Sequence, residues 1–168
     1  MKNAWTVIAM FLFFSGSTRG QDRGLLVKVG DKMPDFEVQL FNGERLATKD
    51  LRGKVLLLNF WATWNPPSLE EFKRVPDEIV KRFEGKDFVY LAISREDPRE
   101  QVEAFRERTG YRFTMGLDTG REIYSRFATT AIPRDFVINK EGRIVYTTNG
   151  YSEKGFSEMI RVVEKLLE

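Results

Sequence analysis

The sequence predicts an α/β protein: one domain over residues 25–168, built in three layers, with a mixed central sheet and helices on both faces. Three observations predict it. Val55–Trp61 and Phe88–Ile93 are nearly continuous apolar runs, the pattern of strands covered on both sides. Segments of helical period follow each run. Short alternating segments joined by turn residues stand near both ends, which adds antiparallel hairpins to the sheet.

Residues 1–20 precede the domain. Met1-Lys2 is a positive start, and Ala4–Phe14 carries only Thr6 as a polar side chain. A helix of that stretch would reach roughly 16 Å, about half of the ~30 Å hydrocarbon core, so an export signal peptide is expected rather than a spanning helix. Ser15, Ser17 and Gly20 offer cleavage after Ser17 or after Gly20. The expected location is the periplasm or an equivalent extracytoplasmic space. The protein should be soluble there after cleavage and touch a membrane only through an uncleaved signal.

Phe36, Val38 and Leu40 alternate with polar residues, and Asn42-Gly43 then turns the chain towards Glu44-Arg45-Leu46, an N-terminal hairpin. After the strand at Val55, the residues Leu69, Phe72, Pro76, Ile79, Val80 and Phe83 form one helical stripe. Asp97-Pro98-Arg99-Glu100 follows the second buried strand and predicts a capped helix to about Thr109, with Asp97 as the capping residue. A short helix is expected over Thr119–Phe127. Asp135–Asn139 and Arg143–Thr148 predict two strands around Glu141-Gly142, which makes four core strands. Phe156, Met159, Ile160, Val163, Leu166 and Leu167 stripe a terminal helix. These stripes read as core.

The chain has 168 residues, 42% hydrophobic and 13% aromatic, material for one domain. Its 27 basic side chains include Lys2 and Arg19; without those two, the remainder balances the 25 acids, so no nucleic-acid footprint is present. There is no Cys and no His. That excludes disulfide exchange by the chain's own thiols and removes the usual nucleophile, base and transition-metal ligands, so no metal and no cofactor is expected.

The segment Phe60-Trp61-Ala62-Thr63-Trp64-Asn65-Pro66-Pro67-Ser68 joins the first buried strand to the first helix. It resembles the active-site segment of the TlpA/ResA-like branch (AhpC/TSA-related) of the thioredoxin superfamily, with Asn65 and Ser68 where that family has its two cysteines. The resemblance covers about residues 30–167. It includes Met33-Pro34-Asp35-Phe36, Leu51-Arg52-Gly53-Lys54, Glu71, Asp118, the Ala131-Ile132-Pro133 turn and Phe136–Val145. It implies a thioredoxin-like fold with a cis-proline at Pro133. Lys73 stands where a proline is common, and Arg134-Asp135 replace small hydroxyl residues.

In the family a thiolate at the helix start is stabilised by free N–H groups and the helix dipole. Asn65 removes that nucleophile but is a strong N-cap: Pro66 suits the first helical position, Pro67 has no N–H to satisfy, and the Asn65 oxygen can accept from Ser68 N–H. Ser68 lacks a histidine base, and Glu71 reads as a helix-start charge or a carry-over from the family's environment. No residue is therefore assigned as catalytic. Trp61, Trp64, Pro66, Pro67, Ile132 and Pro133 are implied by the resemblance to border a surface for an extended polypeptide. Trp61 reads more naturally as core. The expected function is a redox-inactive exported domain that binds a polypeptide or partner protein. The alternative is a thiol-disulfide oxidoreductase by descent whose Cys pair has become Asn65/Ser68.

Overall fold

The computed structural model describes residues 24–168; the expected signal peptide, residues 1–20, lies outside the described residues. A seven-stranded mixed sheet organises the chain in the order β2-β1-β5-β4-β3-β6-β7. Its strands are β1 (Glu37–Leu40), β2 (Arg45–Ala47), β3 (Val55–Trp61), β4 (Phe88–Arg95), β5 (Met115–Asp118), β6 (Arg134–Ile138) and β7 (Ile144–Thr147). The β3/β4 and β4/β5 pairs are parallel and the other pairs antiparallel. The helices are α1 (Pro66–Phe72), α2 (Arg99–Thr109) and α3 (Glu153–Leu167).

Every residue of β3 is buried because the strand runs between two cores. Leu56, Leu58 and Phe60 point to one face with Phe36, Tyr124, Phe127 and Phe136; Val55, Leu57 and Trp61 point to the other with Phe72, Phe105, Phe156 and Met159. The period of two that sorts them is the pleat itself. The three α-helices cover the second face. The first is covered by shorter 3-10 turns at Thr48–Leu51 and Tyr124–Arg126 and by the chain before β1. Leu26 N–H donates to Phe127 O at 2.8 Å and Thr129 N–H to Gly24 O at 2.7 Å, which ties that leading chain to the segment before Pro133.

Four local expectations are corrected. The strand β5 is absent from the four-strand reading: it is four residues long, and Gly116 weakens its apolar signal. Gly116 is required there, since a Cβ would lie 2.5 Å from Val38 Cγ2 on the neighbouring strand. The long first helix is interrupted, because Pro76 has no N–H to donate to Phe72 O; a wider helical turn over Pro76–Lys81 follows, and Val80 falls off the stripe at 38% exposure. The helix expected over Thr119–Phe127 shrinks to Tyr124–Arg126, started by the Asp118 carboxylate accepting from Ile123 and Tyr124 N–H. Finally, Pro98 rather than Asp97 occupies the cap of α2.

Candidate functional site

The parallel strands β3 and β4 end side by side, and β6 starts beside the end of β3, since Arg134 pairs with Phe60. One step further along this register brings Pro133 opposite Trp61. The Ile132–Pro133 peptide bond is cis. Thus the β3–α1 loop and the Thr129–Pro133 loop share one end of the sheet, as strand order and pairing demand.

Asn65 caps α1. Its Oδ1 accepts from Ser68 N–H at 3.0 Å and from Ser68 Oγ–H at 2.7 Å. The first bond satisfies a helix-start donor, and the second holds the hydroxyl of Ser68, a residue with no exposed surface. The two positions therefore face each other as amide and alcohol, with the Asn65 oxygen and the Ser68 hydroxyl bonded to each other. Among the described residues nothing basic is bonded to the Ser68 hydroxyl, and it has no exposure through which to attack a substrate.

The aromatic and proline residues separate into two groups. Trp64 is 54% exposed, and Pro66 and Pro67 are exposed beside it. Trp61 is fully buried, 4.5 Å from the Phe72 ring and 5.0 Å from Phe105, so it belongs to the core and cannot touch a ligand. Ile132 and Pro133 are also buried and can offer only their backbone edge. Among the described residues, neither the N–H nor the C=O of Ile132 has a hydrogen-bond partner.

Asp97 belongs to this end of the sheet, a role the sequence pattern hid. It is buried, and its carboxylate accepts from Thr63 N–H at 2.9 Å, Thr63 Oγ–H at 2.8 Å and Ser94 Oγ–H at 2.5 Å. It pins the loop carrying Trp64 and Asn65 to the end of β4. A capping-box motif masked it, because the same Asp-Pro spacing serves a helix start.

Beneath α1 lies a buried polar cluster. Asn59 Nδ2 donates to Glu71 Oε1 at 2.9 Å and to Asp135 Oδ1 at 2.8 Å, and Thr148 Oγ–H donates to Asp135 Oδ2 at 2.6 Å. Glu71 is therefore an interior group and not a helix-start charge. Burial, then the charge of Asp135 and a hydrogen bond to it, hold the Glu71 pKa well above the ordinary carboxylate range. Burial also raises Asp135, against the hydrogen bonds from Thr148 and Asn59. The raised Glu71 value favours its protonated form over a range above the ordinary carboxylate pKa. The signal in the sequence was Asn59, the one polar residue inside the apolar β3 run.

This arrangement has relatives. Residues 29–147 match the family model of the AhpC/TSA family. The chain belongs to that family. It is 31% identical over 124 residues to the thiol-disulfide oxidoreductase ResA of Bacillus subtilis (strain 168), covering 74% of this chain and 69% of the relative. It is 30% identical over 128 residues to ResA of Geobacillus thermodenitrificans, covering 76% and 73%. Among solved structures, a candidate protein disulfide isomerase from Bacteroides thetaiotaomicron superposes with a TM-score of 0.81 at 33% identity over 86% of this chain and 92% of that one. A thioredoxin-family thiol:disulfide interchange protein from Chlorobium tepidum superposes with a TM-score of 0.68 at 22% identity, a likeness of fold, covering 84% and 99%. This family member thus has a thioredoxin-like α/β fold and, unlike a dithiol enzyme, contains no cysteine in its sequence.

Proposed function

We propose that this chain is an exported, redox-silent member of the thiol-disulfide oxidoreductase family, and that the face once carrying a dithiol holds an extended polypeptide without covalent chemistry. The observation that carries the reading is the Asn65–Ser68 pair. The side chains meet at 2.7 Å at the start of α1 but supply neither a thiolate nor an activated hydroxyl. Export is supported by the positive start and short apolar run of residues 1–20. Binding is supported by the exposed Trp64, Pro66 and Pro67 next to a loop whose Ile132 backbone groups are unengaged among the described residues. An added strand draws affinity from such groups.

Two measurements test this. The purified chain should reduce insulin disulfides no faster than a blank, and turnover above the blank refutes redox silence. A reduced and alkylated unfolded polypeptide should bind the parent saturably, with Trp64→Ala weakening it by about tenfold, as for an aromatic contact residue. Equal affinity of parent and variant, or no binding by either, refutes the binding surface.

A further inference from the structure

Three arginines converge on one tyrosine beside the Thr129–Pro133 loop. The Arg95 guanidinium carbon lies 4.5 Å from the centre of the Tyr124 ring and that of Arg121 lies 5.4 Å from it. Arg134 donates through Nη2 to Thr130 O at 3.2 Å, a carbonyl that the Tyr124 hydroxyl also reaches. Tyr124 Oη–H in turn reaches Thr130 O at 2.5 Å and Ala131 O at 2.6 Å, while Arg121 Nη2 donates to Thr129 O at 2.9 Å. The cluster is therefore built onto the carbonyls that lead into Ile132–Pro133.

Among the described residues, few acids face Arg95 and Arg121. Asp118, the register partner of Arg95, has its carboxylate occupied by the Ile123 and Tyr124 N–H groups. Asp135 is bonded to Asn59 and Thr148 on the far side of β6. Among the described residues, Glu96 alone pairs with the two outer arginines, at 3.4 Å from Arg121 Nη1 and 3.5 Å from Arg95 Nε. Arg121 Nη1 donates to Glu96 Oε1 in a long hydrogen bond, and the Arg95 contact is an ion pair without a hydrogen bond, whereas charge-assisted hydrogen bonds run at about 2.7–2.9 Å. Arg95 is 8% exposed, and its Nε and Nη1 lack any hydrogen-bond acceptor. A guanidinium taken this far from water normally has a bidentate acceptor. The chain also holds three non-glycine residues with left-handed backbone here: Glu96 at φ 69°, Arg121 at φ 59° and Ala131 at φ 70°. That conformation is costly for ordinary side chains, and all three frame the cluster.

From this we infer that Arg95 and Arg121 form a carboxylate subsite beside the cis-proline loop, which selects an Asp or Glu side chain of the extended polypeptide, with Glu96 as the loosely held internal acid that the incoming carboxylate displaces. The assignment rests on the polypeptide-binding reading above and adds to it the chemistry of the residue recognised. Arg134 and Tyr124 position the loop.

The test is a titration of the full chain, with arginine Nε–H resonances observed by NMR. The probes are N-acetylglutamate amide, its glutamine analogue, and two extended octapeptides that differ only in Glu against Gln. The acidic small probe should shift the Arg95 and Arg121 resonances saturably, the glutamine analogue should not, and the Glu peptide should bind about tenfold more tightly than the Gln peptide. Arg121→Gln should erase that preference, whereas Glu96→Gln should tighten the acidic probes. Binding of both peptides with equal affinity overturns the subsite while leaving polypeptide binding intact. Arginine shifts from the small acid with neither peptide bound sustain the anion site and refute the polypeptide. Silence of Arg95 and Arg121 towards the small acid overturns the assignment, as does a Glu preference that survives Arg121→Gln.

Discussion

Replacing Asn65 by alanine should cost more than a helix cap is worth. The Asn65 oxygen serves two donors, Ser68 N–H and Ser68 Oγ–H. Losing a capping side chain costs about 0.5–2 kcal/mol. Here a second loss is added, because Ser68 has no exposed surface and, among the described residues, its hydroxyl donates only to Asn65; a buried donor left without a partner costs about 1–3 kcal/mol. Asn65→Ala should therefore destabilise by about 2–4 kcal/mol, a fall in Tm of about 4–16 °C for a domain of this size. In a Ser68→Ala background the orphaned hydroxyl no longer exists, and the same replacement should cost only the cap, about 1 kcal/mol. The four proteins of this cycle can be compared by urea unfolding at constant m value. A coupling of about 1–3 kcal/mol is expected. If Asn65→Ala costs the same in both backgrounds, the hydroxyl was never dependent on Asn65 and the bonded-pair account of the site is wrong.

Two further outcomes follow from the same end of the sheet. Because burial and the neighbouring Asp135 raise the Glu71 pKa in the folded state, the contribution of this group to stability is fully present below about pH 4.5 and is lost as pH rises towards the elevated folded value. The decline is at most about 1.4 kcal/mol per pH unit for one proton, and Glu71→Gln, which keeps an acceptor for Asn59, should flatten the Tm profile above about pH 4.5; parallel profiles for parent and variant would sink the raised Glu71 pKa. Joint replacement Asn65→Cys and Ser68→Cys should yield a folded protein whose thiols disappear on mild oxidation, counted by mass after alkylation, since the parent side chains already touch. A folded double variant that stays fully alkylatable would show that the two positions cannot be bridged.

Elements with a strong repeating pattern were readable without coordinates. The pleat of β3 and β4 and the stripe of α3 each repeat an apolar choice over many residues, so one ambiguous position does not erase the pattern. The Asn65 cap was readable for a related reason: its acceptor and its donor lie three residues apart, and local geometry sets their meeting. The short β5 was not readable, because its need for Gly116 is imposed by Val38 on a strand far away in the chain.

The sequence alone excluded thiol chemistry, since composition does not depend on folding, and it supplied the sheet's apolar strands and the start of α1. Tertiary structure decided everything that depends on partners from distant segments. It drew Trp61 into the core while leaving Trp64 in solvent, and turned Asp97 from a helix start to the Thr63 loop. It also placed Glu71 against Asn59 and Asp135, and gathered Arg95, Arg121 and Arg134 around Tyr124. The reason is the same in each case. Whether a charged or aromatic side chain meets water, a ring or another charge is settled by the neighbours that strand order brings to it, and those neighbours lie up to tens of residues away along the chain.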